Sequence, residues 1–140
     1  GVLFVIDYGY ASQEYFLHDR SDGTLVCIHK HKSNFDPLSN IGNQDISSFV
    51  NFSHLKNLSL DTNLTVSGFL SQSSFLINLN ILDIHQSKNY SDDEGQIESN
   101  KLKNILLPNT MGELFKVLVM QKNIDVELES TKEFNQMHKL

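Results

Sequence analysis

Tryptophan is absent from this 140-residue chain, and cysteine occurs once, at Cys27. A single thiol excludes an internal disulfide and suits a reducing compartment. Basic residues are few: 11 Lys and Arg stand against 17 Asp and Glu, a formal charge of −6. Gripping phosphates takes clustered cations, so this balance argues against a nucleic-acid partner. The one basic run, Lys30 to Lys32, is too short to offset it. No apolar stretch approaches the roughly 20 residues that span a bilayer. The opening Gly1–Ile6 also lacks the basic flank and small-residue cleavage site of a secretory signal. Neither the glycine-rich dinucleotide turn nor a phosphate-binding loop follows the first apolar run.

What is present suits one soluble domain: 39% of residues are hydrophobic and 20% charged. The stretch Val2-Leu3-Phe4-Val5-Ile6 is continuously apolar and halts at Asp7-Tyr8-Gly9. An unbroken apolar run predicts a strand buried on both faces, of the parallel-sheet type. A short extended segment is expected over residues 23–28, and turns over 33–44. A helix is predicted from Asn51 to Leu58, with Ser53 as N-cap. Leu64–Ser67 reads as a strand running to Gly68, and Gln72–His85 as one well-buried helix. Ser87–Asn100 reads as a mobile polar loop. A short helix is expected over 102–107, stopping at Pro108. Leu114–Met120 reads as a second strong strand, and Ile124–Leu128 alternates behind a turn.

Strand, loop, helix, strand, helices, strand is the order of part of an open α/β sheet. In such sheets ligands bind at the carboxyl ends of parallel strands, which directs attention to Asp7. Its carboxylate can hold a cation or take a proton; equally, it can cap the next turn. Tyr8 can present a ring face to a cation or simply pack, and Gly9 suits a turn. His29 and His31 would share a face if extended, but nothing nearby completes a metal site. His31 alone can orient or transfer a proton. Asp45 is open to a catalytic reading and to a loop-bracing or N-cap one. Cys27, between Val26 and Ile28, reads as a small core residue. No nucleophile, base and orienting group can be named together, which disfavours a hydrolase.

Several stretches taken in order narrow this further: "FVIDYGY" (4–10), "GTL" (23–25) with His31, "IGNQDISSFVNFSHL" (41–55), "QSSFL" (72–76) and "MGELFKVLVM" (111–120). Together they resemble the carboxyl-terminal half of the MidA-like S-adenosylmethionine-dependent methyltransferase family. That family includes the mitochondrial methyltransferase supporting assembly of respiratory complex I. The resemblance runs from Gly1 to about Lys122. It implies that residues 1–140 are the C-terminal part of a single α/β, Rossmann-like class I methyltransferase domain. Val2–Asp7 would be its fifth strand, with strands near 64–69 and 115–120 the last two, forming an antiparallel edge.

The resemblance also implies methyl transfer from S-adenosylmethionine, with arginine in a protein as acceptor. Asp7 and His31 would then be catalytic, and Tyr8, Gly9 and Asp45 substrate-binding, with no metal. Gly23, Thr24, Leu25, Gly42, Gln72, Phe75, Leu76, Met111, Gly112, Phe115 and Lys116 are also family-like. Relatives carry an imidazole and a carboxylate where Phe49 and Asn51 stand here, and often glycine at Asn80. The family's cofactor-gripping motifs fall upstream of residue 1, so this chain alone is expected to bind S-adenosylmethionine weakly or not at all. Expected partners are a protein substrate, such as a complex I subunit, and the amino-terminal half. The implied location is the cytoplasm of a bacterium or the mitochondrial matrix. A non-catalytic binding module of the same family is the alternative.

Overall fold

The computed structural model describes all 140 residues. Seven strands form two sheets. The larger contains β1 (Val2–Tyr10), β5 (Val50–Asn51), β6 (Thr65–Ser71) and β7 (Phe115–Gln121), in the order β5-β1-β7-β6. The smaller contains β2 (Val26–His29), β3 (Lys32–Asn34) and β4 (Asp45–Ser47), in the order β3-β2-β4. Six helices accompany them: α1 (Ser12–Tyr15), α2 (Phe52–Leu60), α3 (Gln72–Asn78), α4 (Ile81–Gln86), α5 (Asp92–Leu106) and α6 (Met111–Leu114).

β7 is the spine of the larger sheet. Its Val117, Leu118 and Val119 are wholly buried, and it runs antiparallel to both β1 and β6. Strand alternation sends Leu118 and Met120 to one face, where they pack with Phe69, Phe52 and Ala11 beneath α2. Val117, Val119 and Leu70 form the core of the other face, against Phe75 of α3 and Leu128. Each such side chain contributes about 1.5–3 kcal/mol on burial.

The two edges of this sheet differ. Along β6 the C-terminal segment closes the edge. Asn135 accepts from the Phe69 amide (3.1 Å) and donates to the Ser67 carbonyl (3.1 Å), and the Gln136 amide donates to the Phe69 carbonyl (2.7 Å). Along β1 only Gly9 and Tyr10 find a second partner, in parallel with Val50 and Asn51. The opposite edge of Val2–Tyr8 is unpaired within the chain.

This corrects the expectation of a parallel strand buried on both faces. The long partner of β1 is antiparallel, and Leu3 and Ile6 remain 45% and 50% exposed. Nor does the strand stop at Asp7. Pairing continues through Asp7↔Lys116 and Tyr8↔Phe115 to Tyr10.

Other departures have local causes. The segment 72–85 is two helices, because Asn80 adopts a left-handed conformation (φ 55°) between them. Asparagine tolerates that region, which glycine occupies most easily. The polar stretch at 87–100 is not a loop: from Asp92 it forms the first part of α5. There the Glu94 carboxylate accepts from the Ser91 amide (3.3 Å) and hydroxyl (2.8 Å), and three acidic residues sit in the first turn. The helix expected over 102–107 is the end of α5. The N-cap of α2 is Asn51, whose side chain accepts from the His54 amide (3.1 Å); Ser53 instead accepts from the Ser12 amide (2.9 Å). Residues 124–128 form no strand. The Gln121 side chain donates to the Val126 carbonyl (2.9 Å) and accepts from its amide (3.4 Å), taking the place of a ladder partner.

Candidate functional site

At the carboxyl end of β1 the side chains turn polar and aromatic. Oδ1 of Asp7 accepts from the Tyr8 amide at 2.8 Å, the local bond expected of an aspartate leaving a strand. Its second carboxylate oxygen accepts from no group of the chain, and the residue is half-buried. Asp7 lies opposite Lys116, and Lys116 opposite Ser71, so the three form a row across β1, β7 and β6. The Lys116 ammonium does not pair with Asp7. It donates to the Glu113 carbonyl (2.7 Å) and lies 3.4 Å from the Glu113 carboxylate. Glu113 also accepts from the Ser73 hydroxyl (3.2 Å), which lies 2.9 Å from that of Ser71, itself 2.9 Å from that of Ser74. With its ammonium thus neutralised, Lys116 leaves the outer oxygen of Asp7 available.

On the other face of the same strand ends runs a line of rings. Tyr8 packs on Phe115 at 4.2 Å between centroids and stacks on Phe49 at 6.1 Å. Phe49 meets Tyr10 at 5.4 Å, and the Arg20 guanidinium lies 4.1 Å over Tyr10. Arg20 also donates to the Glu14 carbonyl. The Thr24 hydroxyl accepts from the Phe49 amide (3.2 Å), tying the loop before β2 to the aromatic line. Alternation along β1 and β7 puts Tyr8 and Phe115 on the face of the sheet opposite the Asp7 carboxylate, so the rings and the carboxylate flank the end of the strand from two sides.

Gly9 is explained by packing rather than by a turn. A Cβ there would lie 2.2 Å from the Val50 carbonyl oxygen and 2.7 Å from the Phe52 ring, so only glycine lets β5 approach β1. It is buried in the strand, without access to a substrate.

The remaining sequence candidates lie elsewhere. Lys30 and His31 both have positive φ (49° and 62°), forming the tight turn between β2 and β3. His29 and His31 consequently do not share an extended face. His29 Nδ1 lies 2.5 Å from the Asn43 carbonyl oxygen, while His31 is exposed and makes no side-chain hydrogen bond. Asp45 is an exposed β4 residue opposite Ile28, neither an N-cap nor a loop brace. No hydrogen bond or ion pair joins His31 or Asp45 to Asp7. No group of histidine, cysteine and carboxylate side chains could hold a metal ion, and Cys27 is fully buried in the small sheet.

Glu113, Ser71 and Ser73 were not singled out by sequence reasoning. Ser73 and Glu113 lie inside the stretches QSSFL and MGELFKVLVM and Ser71 just before the first, but no spacing rule links residues forty positions apart. Phe49, read as the loss of an imidazole, is a central member of the ring line. Asn51, read as the loss of a carboxylate, caps α2 and accepts from the Ser12 hydroxyl (3.1 Å).

The order β1-β7-β6 with β7 antiparallel to both neighbours is the expected carboxyl-terminal edge of a Rossmann-like methyltransferase sheet. The fold is thus α/β and methyltransferase-like. Two solved structures from Burkholderia thailandensis agree with it throughout. One is an uncharacterized ACR, COG1565 superfamily protein; the other is a COG1565 superfamily member bound to S-adenosyl-homocysteine. Each is 33% identical to this chain and covers all of it, with a TM-score of 0.94. The chain spans 38% and 36% of their respective lengths, little more than a third. No curated protein matches. Residues 1–70 match the family described as "Putative S-adenosyl-L-methionine-dependent methyltransferase". The chain belongs to that S-adenosyl-L-methionine-dependent methyltransferase family.

The 140 residues contain none of the expected cofactor grip. No glycine-rich loop follows β1, and the glycine nearest the site, Gly9, is filled against by protein atoms rather than open to a ligand. What these residues present at the end of β1 is a carboxylate on one face and an aromatic set on the other.

Proposed function

We propose that this chain is the acceptor-side portion of a methyltransferase of the MidA-like type, acting on a protein arginine, with S-adenosylmethionine held by residues outside these 140. The observation that carries the reading is the placement of Asp7 and Tyr8 at the end of β1, in a fold shared with a 33% identical protein that holds S-adenosyl-homocysteine. S-adenosylmethionine supplies a methyl group on a sulfonium. On the acceptor side, the free oxygen of Asp7 accepts a hydrogen bond from a guanidinium and fixes its orientation. Such alignment accounts for a large share of the rate in a displacement reaction. Tyr8, Phe49 and Phe115, on the other side of the strand end, offer ring faces to the residues flanking that arginine. A respiratory complex I subunit is the proposed acceptor protein, and the cytoplasm of a bacterium or the mitochondrial matrix the proposed location.

The test is co-expression with the amino-terminal portion of a family member and incubation with methyl-tritiated S-adenosylmethionine and arginine-containing complex I subunits. Label on arginine only when both portions are present is the expected result. Acceptor binding without label would instead identify a non-catalytic module.

A further inference from the structure

A trough leads away from the aromatic line. Its outer part, a cavity of about 450 Å³, is lined by Asp19, Asp22, Gly23, Leu25 and Phe35, with Arg20 on one side. Its inner part, about 270 Å³, shares Arg20, Gly23, Leu25 and Phe35 with the first and ends at Thr24, Val26 and Phe49. Phe49 is the ring that stacks on Tyr8, so the trough ends against the aromatic line at the end of β1.

Its two ends differ chemically. At the outer end neither Asp19 nor Asp22 makes an ion pair or a side-chain hydrogen bond within the chain. The one cation nearby, Arg20, is turned onto the Tyr10 ring and the Glu14 carbonyl. In the middle, Phe35 is 79% exposed and Leu25 41%, an apolar floor with nothing on it. Unpaired carboxylates beside an apolar floor complement a segment bearing a positive charge next to a bulky apolar side chain. The trough's one charged donor, Arg20, is already engaged, so it lacks the converging free donors that fix a small molecule.

We propose that this trough seats an extended segment of the acceptor protein. A lysine or arginine of that segment lies beside Asp19 and Asp22, an apolar residue rests on Phe35 and Leu25, and the methyl-accepting residue reaches Phe49 and Tyr8 at the end of β1. This rests on the protein-directed methyl transfer proposed above and adds where the substrate's flanking residues bind. Sequence preference is then set at a distance from the chemistry, by charge outside and by an apolar contact between.

The test uses the 140-residue chain and a short fluorescein-labelled peptide carrying a central arginine, a phenylalanine and flanking lysines. Its counterpart has glutamates for the lysines. Saturable anisotropy is expected with the basic peptide alone, with amide shifts at Gly23, Leu25 and Phe35 in nuclear magnetic resonance spectra. Asp19→Asn with Asp22→Asn, and separately Phe35→Ser, should each weaken binding by roughly fivefold or more. Asp92→Asn with Asp93→Asn, which removes the same charge from α5, should leave it unchanged. Absence of saturable binding, shifts mapping elsewhere, or equal effects of the two Asp pairs would overturn the proposal. No S-adenosylmethionine is present, so the two readings fail separately. Methyl transfer indifferent to Asp19 and Asp22 removes the trough and spares the reaction; trough binding without transfer does the reverse.

Discussion

Gly9 and Asp7 stand two residues apart on one strand and illustrate two different demands on a side chain. At Gly9 the demand is for no side chain at all. Gly9→Ala forces either the Val50 carbonyl or the Phe52 ring to move, and we expect a loss of roughly 2–3 kcal/mol in urea unfolding. At Asp7 the demand is chemical. Asp7→Asn keeps an oxygen to accept from the Tyr8 amide, so stability should change by less than about 1 kcal/mol. Methyl transfer in the completed enzyme should fall at least about tenfold, as expected when an aligning group is lost. An unchanged rate would remove Asp7 from the site. Asn51 tests the opposite case. Aspartate caps a helix as well as asparagine does and favours its N-terminus, so Asn51→Asp should match or exceed the parent's melting temperature, with no gain in transfer.

Among the elements, α5 shows how little apolar material a helix needs when its ends are well made. It has no fully buried residue, yet it carries the Ser91–Glu94 cap, an acidic first turn and the Glu98–Lys101 pair at 2.6 Å. Glu94→Ala should cost about 0.5–1 kcal/mol, read as faster amide hydrogen exchange across 92–106. The Lys101 hydrogen bond holds the Glu98 carboxyl below its ordinary range and raises the Lys101 ammonium above its own. A depressed carboxylate stabilises the folded form above its unfolded pKa. The contribution is therefore present at neutral pH and fades on acidification below the usual glutamate range. Because the pair is exposed, the effect should also shrink with added salt in a pH series of helix content.

The whole molecule is asymmetric about its main sheet. One edge is sealed by Asn135 and Gln136, whereas the other presents the backbone of Val2–Tyr8 with Leu3, Phe4 and Ile6 partly in water. An open strand edge beside apolar side chains is a template for another strand. The 140-residue chain by itself should therefore associate with concentration in sedimentation velocity, and Ile6→Lys should shift it toward monomer. A clean monomer at all concentrations would show that the edge is protected some other way.

Composition and local pattern alone were enough to establish the α/β class, the strands at 2–6 and 114–120, a helix in the low fifties, burial of Cys27 and attention to Asp7. Each of these depends on neighbours in the chain: apolar runs, alternation, and a polar residue ending a run. What needed the tertiary structure were facts set by distant partners. Gly9 follows from the approach of Val50, and the Lys116–Ser71–Ser73 end of the polar network from the pairing of β7 with β6; the break at Asn80 is local, but its left-handed backbone shows only in the structure. The separation of His31 and Asp45 from Asp7 arises because they fold into a different sheet. A sequence records which side chains are available, but the chemistry of a site depends on which ones the chain's long-range pairings bring together.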